Sequence, residues 1–176
     1  MGNIERIERL IRNIPDFPKP GIQFKDITPV LRSPAGFSDA ITEMLERSPH
    51  DIDLVAGVES RGFIFGAPMA LMLHVGFVPI RKPGKLPGPV YEQNFDLEYG
   101  SSTLAMHQDA ISPGQRVLLV DDLLASGGTL VAAARLIERA QGVVAHTAVL
   151  VELAELQGRA MMAEAGLTSV SSIITY

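Results

Sequence analysis

The feature that most constrains this chain is residues 117–130, which read VLLVDDLLASGGTL. An unbroken run of branched apolar residues is typical of a strand buried on both faces of a parallel sheet. Here the run stops at Asp121 and Asp122, called the acidic pair below. A turn with two glycines follows, and the next apolar-periodic segment predicts a helix from Thr129. The order strand, acidic end, glycine turn and helix indicates an α/β protein.

The turn itself, residues 125–129, is called the glycine loop and has the chemistry of an anion site. Gly127 and Gly128 let the backbone turn tightly, so that amide groups can converge on a phosphate at a helix N-terminus. The hydroxyls of Ser126 and Thr129 add two donors. The acidic pair, just upstream, suits sugar hydroxyls or a hydrated divalent cation. The alternative is that the carboxylates merely end a strand and the glycines merely mark a turn.

Length and charge limit the classes of protein to be considered. A chain of 176 residues predicts a single domain over 1–176. A net charge of −5 argues against general binding of nucleic acid or of a membrane surface, so any polyanion site must be built locally. The chain has no cysteine, which excludes disulfides and thiolate chemistry. The N-terminus has no signal-peptide pattern, so we expect a cytoplasmic protein.

Hydrophobic periodicity and turn residues predict helices that alternate with strands. The pattern favours a parallel, doubly wound sheet. The apolar stretch 62–80 contains two prolines and is better interpreted as a buried helix and a strand than as a membrane span. The expected helices are 3–13, 34–47, 63–74, 129–140 and 156–165; the expected strands are 53–58, 77–82, 102–107, 117–122, 143–151 and 170–175; residues 20–29 are extended and 83–99 form a long connection without a packed element.

Cations follow two of the predicted strands. Arg61 follows the strand at 53–58 and should face the glycine loop across one crevice, because ligands bind beyond the carboxyl ends of parallel strands. Arg81, Lys82 and Lys85 place three cations in five residues, which suits a multiply charged phosphate. The alternatives are an exposed loop arginine and a solvated strand end.

Two further residues suit an aromatic, proton-bearing ligand. Glu98 lies on the long connection, where a closing segment could bring its carboxylate to a substrate nitrogen. Phe24 lies in a proline-bounded strip and offers a flat apolar face. The alternatives are an exposed loop glutamate and a core phenylalanine.

Four stretches carry a resemblance to a known family. The segment VDDLLASGGT at 120–129 resembles the phosphoribosyl-pyrophosphate motif of the type I phosphoribosyltransferases. The others resemble the adenine-specific branch of that family, and the similarity extends over essentially the whole chain. They are PGIQFKDITP at 20–29, GVESRGF at 57–63, and RKPGKLPG at 81–88 with LEYG at 97–100 behind it.

The resemblance implies a fold and a reaction. The fold is the type I phosphoribosyltransferase fold, with an N-terminal hood over 1–33 and a mobile lid loop over 83–100. The reaction is purine salvage, in which adenine and phosphoribosyl pyrophosphate give AMP and pyrophosphate. The resemblance also implies a homodimer, and magnesium (Mg²⁺) that is bound mainly through the substrate and not directly by the protein.

The resemblance also implies a role for each matching residue and a cis peptide bond between Glu59 and Ser60. Two positions depart from the family pattern, since Ser126 stands where threonine is common and Phe95 where tyrosine is often found. The implied roles are 5-phosphate binding by Ala125, Ser126, Gly127, Gly128 and Thr129; ribose binding by Asp121 and Asp122; pyrophosphate binding by Ser60, Arg61, Arg81, Lys82 and Lys85; adenine binding by Phe24, Lys25 and Ile27; and proton transfer by Glu98.

Three rival functions remain at this point. The same chemistry could act on another base, such as xanthine or hypoxanthine. A phosphoribosyl-pyrophosphate sensor that binds nucleic acid could share the fold, but such a protein needs a basic surface that the net charge of −5 does not favour. A receiver-like signalling domain fits less well, because its acidic pair should follow the first strand.

Overall fold

The structure is a computed structural model that describes residues 2–96 and 100–176. Its helices and strands alternate along most of the chain, as the sequence predicts. They are α1 (Asn3–Leu10), β1 (Arg12–Pro15), β2 (Gln23–Asp26), α2 (Thr28–Arg32), α3 (Pro34–Glu46), β3 (Leu54–Val58), α4 (Arg61–Leu73), β4 (Gly76–Ile80), β5 (Val90–Asp96), β6 (Ser101–His107), β7 (Arg116–Leu124), α5 (Gly128–Arg139), β8 (Val143–Glu152), a 3-10 turn (Ala154–Leu156), α6 (Gly158–Glu164) and β9 (Val170–Thr175).

The centre of the fold is a five-stranded parallel sheet in the order β4-β3-β7-β8-β9. One face carries α1 to α4 and the other carries α5, α6 and part of β6. The doubly wound parallel sheet expected from the sequence is therefore confirmed. Within β7, Val117 and Leu119 pack into the core on one face, and Leu118 and Val120 pack into the core on the other. This alternation explains why the strand is apolar at every position before the acidic pair.

The N-terminal segment differs from the expectation in two places. The helix expected over 3–13 ends at Leu10, because Arg12–Pro15 pairs with Gln23–Asp26 as an antiparallel hairpin. A strand partner distant in sequence overrides helical periodicity here. The extended strip expected over 20–29 also gives way to a helix from Thr28, since Pro29 is well tolerated in the first helical turn.

The connection after β4 is more ordered than expected. Val90–Asp96 forms a strand that pairs with Ser101–His107, so the expectation of no packed element over 83–99 is wrong for these residues. Tyr91 and Phe95 pack against the core beside α5, while Glu92 and Asn94 are exposed. The Arg139 guanidinium of α5 lies 4.7 Å from the centre of the Tyr91 ring.

Helix α4 sits very close to the sheet because it carries glycines where it crosses β3 and β7. A Cβ added at Gly62 would lie 2.7 Å from the Val120 carbonyl oxygen and 3.1 Å from Asp121 Oδ1. Any side chain at Gly62 would therefore push the helix away from the end of β7. The start of α4, including Arg61, is brought against the acidic pair by this contact.

The stretch 62–80 is a helix followed by a strand, as predicted, and among the described residues no helix is long and apolar enough to cross a membrane.

Candidate active site

A cavity of about 240 Å³ opens at the carboxyl ends of β3 and β7. Its lining comes from residues 59–61 on one side and residues 121–127, 129 and 130 on the other. The two strands are neighbours, with Gly57 paired to Val120, so their carboxyl ends meet at one edge of the sheet. The predicted crevice between the two loops is therefore confirmed, and it contains Ser60, Arg61 and the acidic pair.

The acidic pair is buried, although both carboxylates reach the cavity wall. Asp121 is 9% exposed and Asp122 is 5% exposed. Strand β7 runs through both residues and ends at Leu124, so the expectation that the strand stops at the pair is wrong. Residues 123 and 124 still pair with β8, which extends the ladder by two residues beyond the carboxylates. The pair is thus held by strand backbone on both sides instead of by a flexible loop.

Burial dominates the electrostatics of the acidic pair. Loss of hydration raises the pKa of Asp121 well above its ordinary value, and the neighbouring charge of Asp122 raises it further. The backbone amide of Asp122 opposes this by donating to Asp121 Oδ1 over 2.8 Å. Burial also raises the pKa of Asp122, against the opposing positive charge of Arg61. Two carboxylates with raised pKa values in one cavity are typical of functional sites.

Arg61 supplies the counter-charge inside the cavity. Its Nε lies 2.9 Å from Asp122 Oδ2, and 38% of its side chain is exposed. The guanidinium carbon also lies 5.7 Å from the centre of the Phe24 ring, on the hairpin formed by β1 and β2. Arg61 therefore connects the acidic pair to the N-terminal hairpin.

The glycine loop has the expected conformation between β7 and α5. Gly127 adopts φ +91°, a left-handed conformation that favours glycine, and the next residue begins the helix. Four loop members named from the sequence line the cavity: Ala125, Ser126, Gly127 and Thr129. Gly128 does not line it and packs instead near the end of β5, where an added Cβ would lie 3.3 Å from the Asp96 carbonyl oxygen.

The cation cluster after β4 is organised by Glu59, which sequence reasoning missed as a site residue. Arg81 donates to both Glu59 oxygens, each over 3.2 Å, and the Lys82 amide donates to Glu59 Oε2 over 2.9 Å. Hydrogen bonds from Arg81 and the Lys82 amide lower the pKa of Glu59, and the positive charge of Lys85 adds to the effect. Glu59 lines the cavity, whereas Arg81, Lys82 and Lys85 lie behind it. The cis peptide bond expected between Glu59 and Ser60 is present.

The three residues named for base binding are placed differently from one another. Phe24 faces Arg61, and its ring packs edge to face against Phe17 at 5.1 Å. The Lys25 ammonium lies 3.8 Å from the centre of the Tyr176 ring. Ile27 is only 2% exposed and packs in the core, so its backbone alone could meet a ligand. Glu98, the named proton-transfer residue, lies outside the described residues.

A second residue missed by the sequence analysis is Gly158, at the start of α6. An added Cβ there would collide with the Ala125 carbonyl oxygen, and a Cβ on Gly127 would lie 2.8 Å from the Gly158 carbonyl oxygen. Gly158 thus forms the floor of the glycine loop. The loop sequence gives no indication of this contact, because Gly158 lies far along the chain from the loop. The order of the strands in the sheet brings α6 and the loop together.

Comparison with known proteins agrees with this geometry. Residues 28–174 match the family described as phosphoribosyl transferase domain. The adenine phosphoribosyltransferase of Cutibacterium acnes is 52% identical over 169 residues, which cover 96% of this chain and 96% of that protein.

Two crystal structures extend the likeness to three dimensions. The adenine phosphoribosyltransferase of Thermoanaerobacter pseudethanolicus superimposes with a TM-score of 0.94 at 48% identity, covering 98% of this chain and 99% of that one. The enzyme of Giardia lamblia, complexed with 9-deazaadenine, gives a TM-score of 0.92 at 40% identity and covers 100% of this chain and 99% of that one. The chain therefore belongs to the phosphoribosyl transferase family and, within it, to the adenine phosphoribosyltransferases.

Proposed function

We propose that the protein transfers the 5-phosphoribosyl group of phosphoribosyl pyrophosphate to adenine, giving AMP and pyrophosphate in purine salvage. The observation that carries the proposal is one cavity that joins a phosphate-type loop, two buried carboxylates and an arginine. The bond from the anomeric carbon to pyrophosphate breaks with its electron pair leaving on oxygen. The bond to the adenine nitrogen forms, and the proton of that nitrogen is released.

The residue roles follow from where the groups lie in the cavity. The glycine loop, Ala125 to Thr129, holds the 5-phosphate through backbone amides and two hydroxyls at the start of α5. The acidic pair accepts hydrogen bonds from the ribose hydroxyls. Its negative charge also favours the positive character that develops on the sugar when the leaving group departs.

The cations serve the pyrophosphate. Arg61 is the cation nearest the acidic pair, and we infer that it exchanges Asp122 for a pyrophosphate oxygen when the substrate binds. Ser60 lines the same wall. Arg81, Lys82 and Lys85 surround Glu59 just behind this wall, so their positive charge reaches the same region.

Magnesium fits this site as part of the substrate. Among the described residues no group of three or more acidic or histidine side chains could hold a metal ion. Magnesium keeps several waters and readily binds substrate phosphates, so the pyrophosphate would supply most of its protein-independent contacts. When bound, the ion would neutralise charge on the departing pyrophosphate.

The base is placed by the hood and by the lid. Phe24 offers its ring beside Arg61, and the backbone at Lys25 and Ile27 offers polar groups to the edge of adenine. The end of β5 lies against Gly128, so the chain enters the segment that contains Glu98 beside the glycine loop. This placement supports Glu98 as the carboxylate that accepts the proton from adenine.

The protein is further proposed to act in the cytoplasm as a homodimer. The dimer is supported by an apolar face on α4, where Ile64 is 38%, Leu71 is 75% and Met72 is 56% exposed. Exposed apolar side chains grouped on one helix are typical of a surface that meets another protein.

The activity is tested with a panel of bases. Adenine, hypoxanthine, guanine and xanthine are each assayed at fixed phosphoribosyl pyrophosphate and magnesium, and formation of the mononucleotide is followed by absorbance. We expect kcat/KM for adenine to exceed that for each other base by about 100-fold or more, because a mispaired base leaves polar groups of the site unsatisfied. A preference for another base, or no turnover at all, would overturn the proposal.

Glu98→Gln should lower kcat by about 100-fold or more, because proton transfer typically contributes at least this factor. The KM for phosphoribosyl pyrophosphate should change little. The matched control is Glu92→Gln, because Glu92 is a glutamate of β5 whose side chain is exposed. Full turnover by Glu98→Gln would show that this carboxylate does not serve proton transfer.

Asp121→Asn should make the fold more stable at neutral pH and make the enzyme less active. The raised pKa of Asp121 means that its ionised form destabilises the folded state as pH rises above the ordinary aspartate value, and asparagine removes this cost. The asparagine side-chain oxygen can still accept a hydrogen bond from the Asp122 amide. A charged acceptor for the ribose hydroxyls is lost, however, so kcat/KM should fall by about tenfold or more.

Urea denaturation between pH 5 and 8 measures the stability effect, which should shrink as pH is lowered. The control is Asp51→Asn, because the Asp51 side chain is 72% exposed. A less stable Asp121→Asn protein would contradict the assignment of a destabilising buried charge.

Leu71→Glu should convert the dimer to a monomer, because a charge placed in an apolar interface is desolvated without a partner. Light scattering measures the mass. Val143→Glu is the control, since Val143 is 47% exposed but lies on β8, away from α4. A monomeric wild-type protein, or a Leu71→Glu dimer of unchanged stability, would contradict this interface.

A further inference from the structure

An ion pair outside the cavity lining connects α6 to the carboxyl end of β8. Arg159 Nε lies 2.8 Å and 2.9 Å from the two Glu152 oxygens, and its Nη2 lies 2.7 Å from Glu152 Oε2. Arg159 Nη1 also donates to the Val170 carbonyl oxygen over 2.8 Å. Ser172 Oγ donates to Glu152 Oε2 over 2.7 Å. One guanidinium thus ties the first turn of α6 to both β8 and β9.

Glu152 is buried, with 6% of its surface exposed, so the pair is not an ordinary surface salt bridge. Burial raises the pKa of Glu152, but the hydrogen bonds from Arg159 and Ser172 outweigh burial and leave the pKa below its ordinary value. The carboxylate is therefore ionised at neutral pH. Removing Arg159 would leave that charge buried and unpaired, and the surrounding backbone would have to move to hydrate it.

The residue before Arg159 touches the glycine loop. Gly158 lies so close to Ala125 that a Cβ would collide with the Ala125 carbonyl oxygen. The Gly158 carbonyl oxygen also packs against Gly127 and leaves no room for a side chain there. The Leu153 amide, directly after Glu152, donates to the Leu124 carbonyl oxygen over 2.9 Å. Glu152 is therefore adjacent to Leu153, which contacts the backbone that leads into the glycine loop. Arg159 is adjacent to Gly158, which contacts the loop itself.

We propose that the Glu152–Arg159 ion pair positions the glycine loop for the 5-phosphate. Neither residue lines the cavity, so both are positioning residues that act through Gly158 and Leu153. The inference rests on one part of the proposed function, which is the assignment of the 5-phosphate to that loop. A displacement of about 1 Å in a group that binds substrate is enough to weaken activity about 100-fold.

A purely structural role makes a different prediction from a positioning role. If the pair only stabilises the fold, its loss lowers the fraction of active protein and leaves the affinity of the remaining protein unchanged. If the pair positions the loop, ligands with a 5-phosphate bind more weakly while adenine is affected little. The two roles are therefore separated by comparing ligands, not by comparing activity alone.

The test uses Arg159→Gln, with Arg159→Lys as the conservative variant, assayed well below the melting temperature of each protein. Calorimetry measures the affinity of ribose 5-phosphate and AMP, and steady-state kinetics gives KM for adenine. We expect Arg159→Gln to weaken ribose 5-phosphate and AMP binding about tenfold and to leave KM for adenine within about twofold. Arg159→Lys should recover part of the affinity, because it restores the charge without the bidentate geometry.

Arg116→Gln is the matched control, since Arg116 makes an exposed ion pair with Asp51 at the start of β7, away from α6. If Arg159→Gln does not fold, Ser172→Ala gives a milder loss of the same network and should weaken the binding of ribose 5-phosphate and AMP but not the KM for adenine. Unchanged ribose 5-phosphate affinity, or equal weakening for adenine, would overturn the inference. A wild-type protein that binds ribose 5-phosphate but does not turn over adenine would instead overturn the proposed function and leave this inference standing.

Discussion

The contact between Arg61 and Asp122 organises the candidate site. Burial raises the pKa values of both adjacent carboxylates, and the charge of Asp122 raises the pKa of Asp121 further. Arg61 offsets part of this cost from 2.9 Å. It can do so because Gly62 lets α4 approach the end of β7 within van der Waals contact of the backbone. The electrostatics of the cavity therefore depend on a packing contact between a glycine and a strand.

This arrangement places stability and function in opposition. A buried carboxylate with a raised pKa lowers the stability of the fold at neutral pH. In a phosphoribosyltransferase the same carboxylate can serve the sugar, which offers hydroxyl donors and develops positive charge. The glycine loop also gives up packing for function, since the close contact of Gly127 with Gly158 leaves no room for a side chain at either position. Space that side chains could have filled to stabilise the fold is instead kept free for backbone contacts near the anion site.

The sheet, the crevice and most cavity residues could be predicted from the sequence. They depend on local hydrophobic patterns and on the rule that ligands bind beyond the carboxyl ends of parallel strands. It failed where a distant partner decides the structure. Residues 12 and 13 fall in the predicted helix but pair with β2, and the strand Val90–Asp96 pairs with β6 and packs against the core beside α5. Gly158 was missed for the same reason. Glu59 was overlooked although its motif was recognised, since its contacts with Arg81 and the Lys82 amide exist only after folding.

The central claim is that the acidic pair binds the ribose while Arg61 leaves it for the pyrophosphate. A crystal structure with AMP and pyrophosphate tests this most directly. We expect the 5-phosphate to lie against the amides of the glycine loop and a ribose hydroxyl to lie about 2.5–3.0 Å from a carboxylate oxygen of Asp121 or Asp122. We also expect the Arg61 guanidinium to donate a hydrogen bond to a pyrophosphate oxygen. A ribose turned away from both carboxylates, with Arg61 Nε still 2.9 Å from Asp122 Oδ2, would contradict this claim.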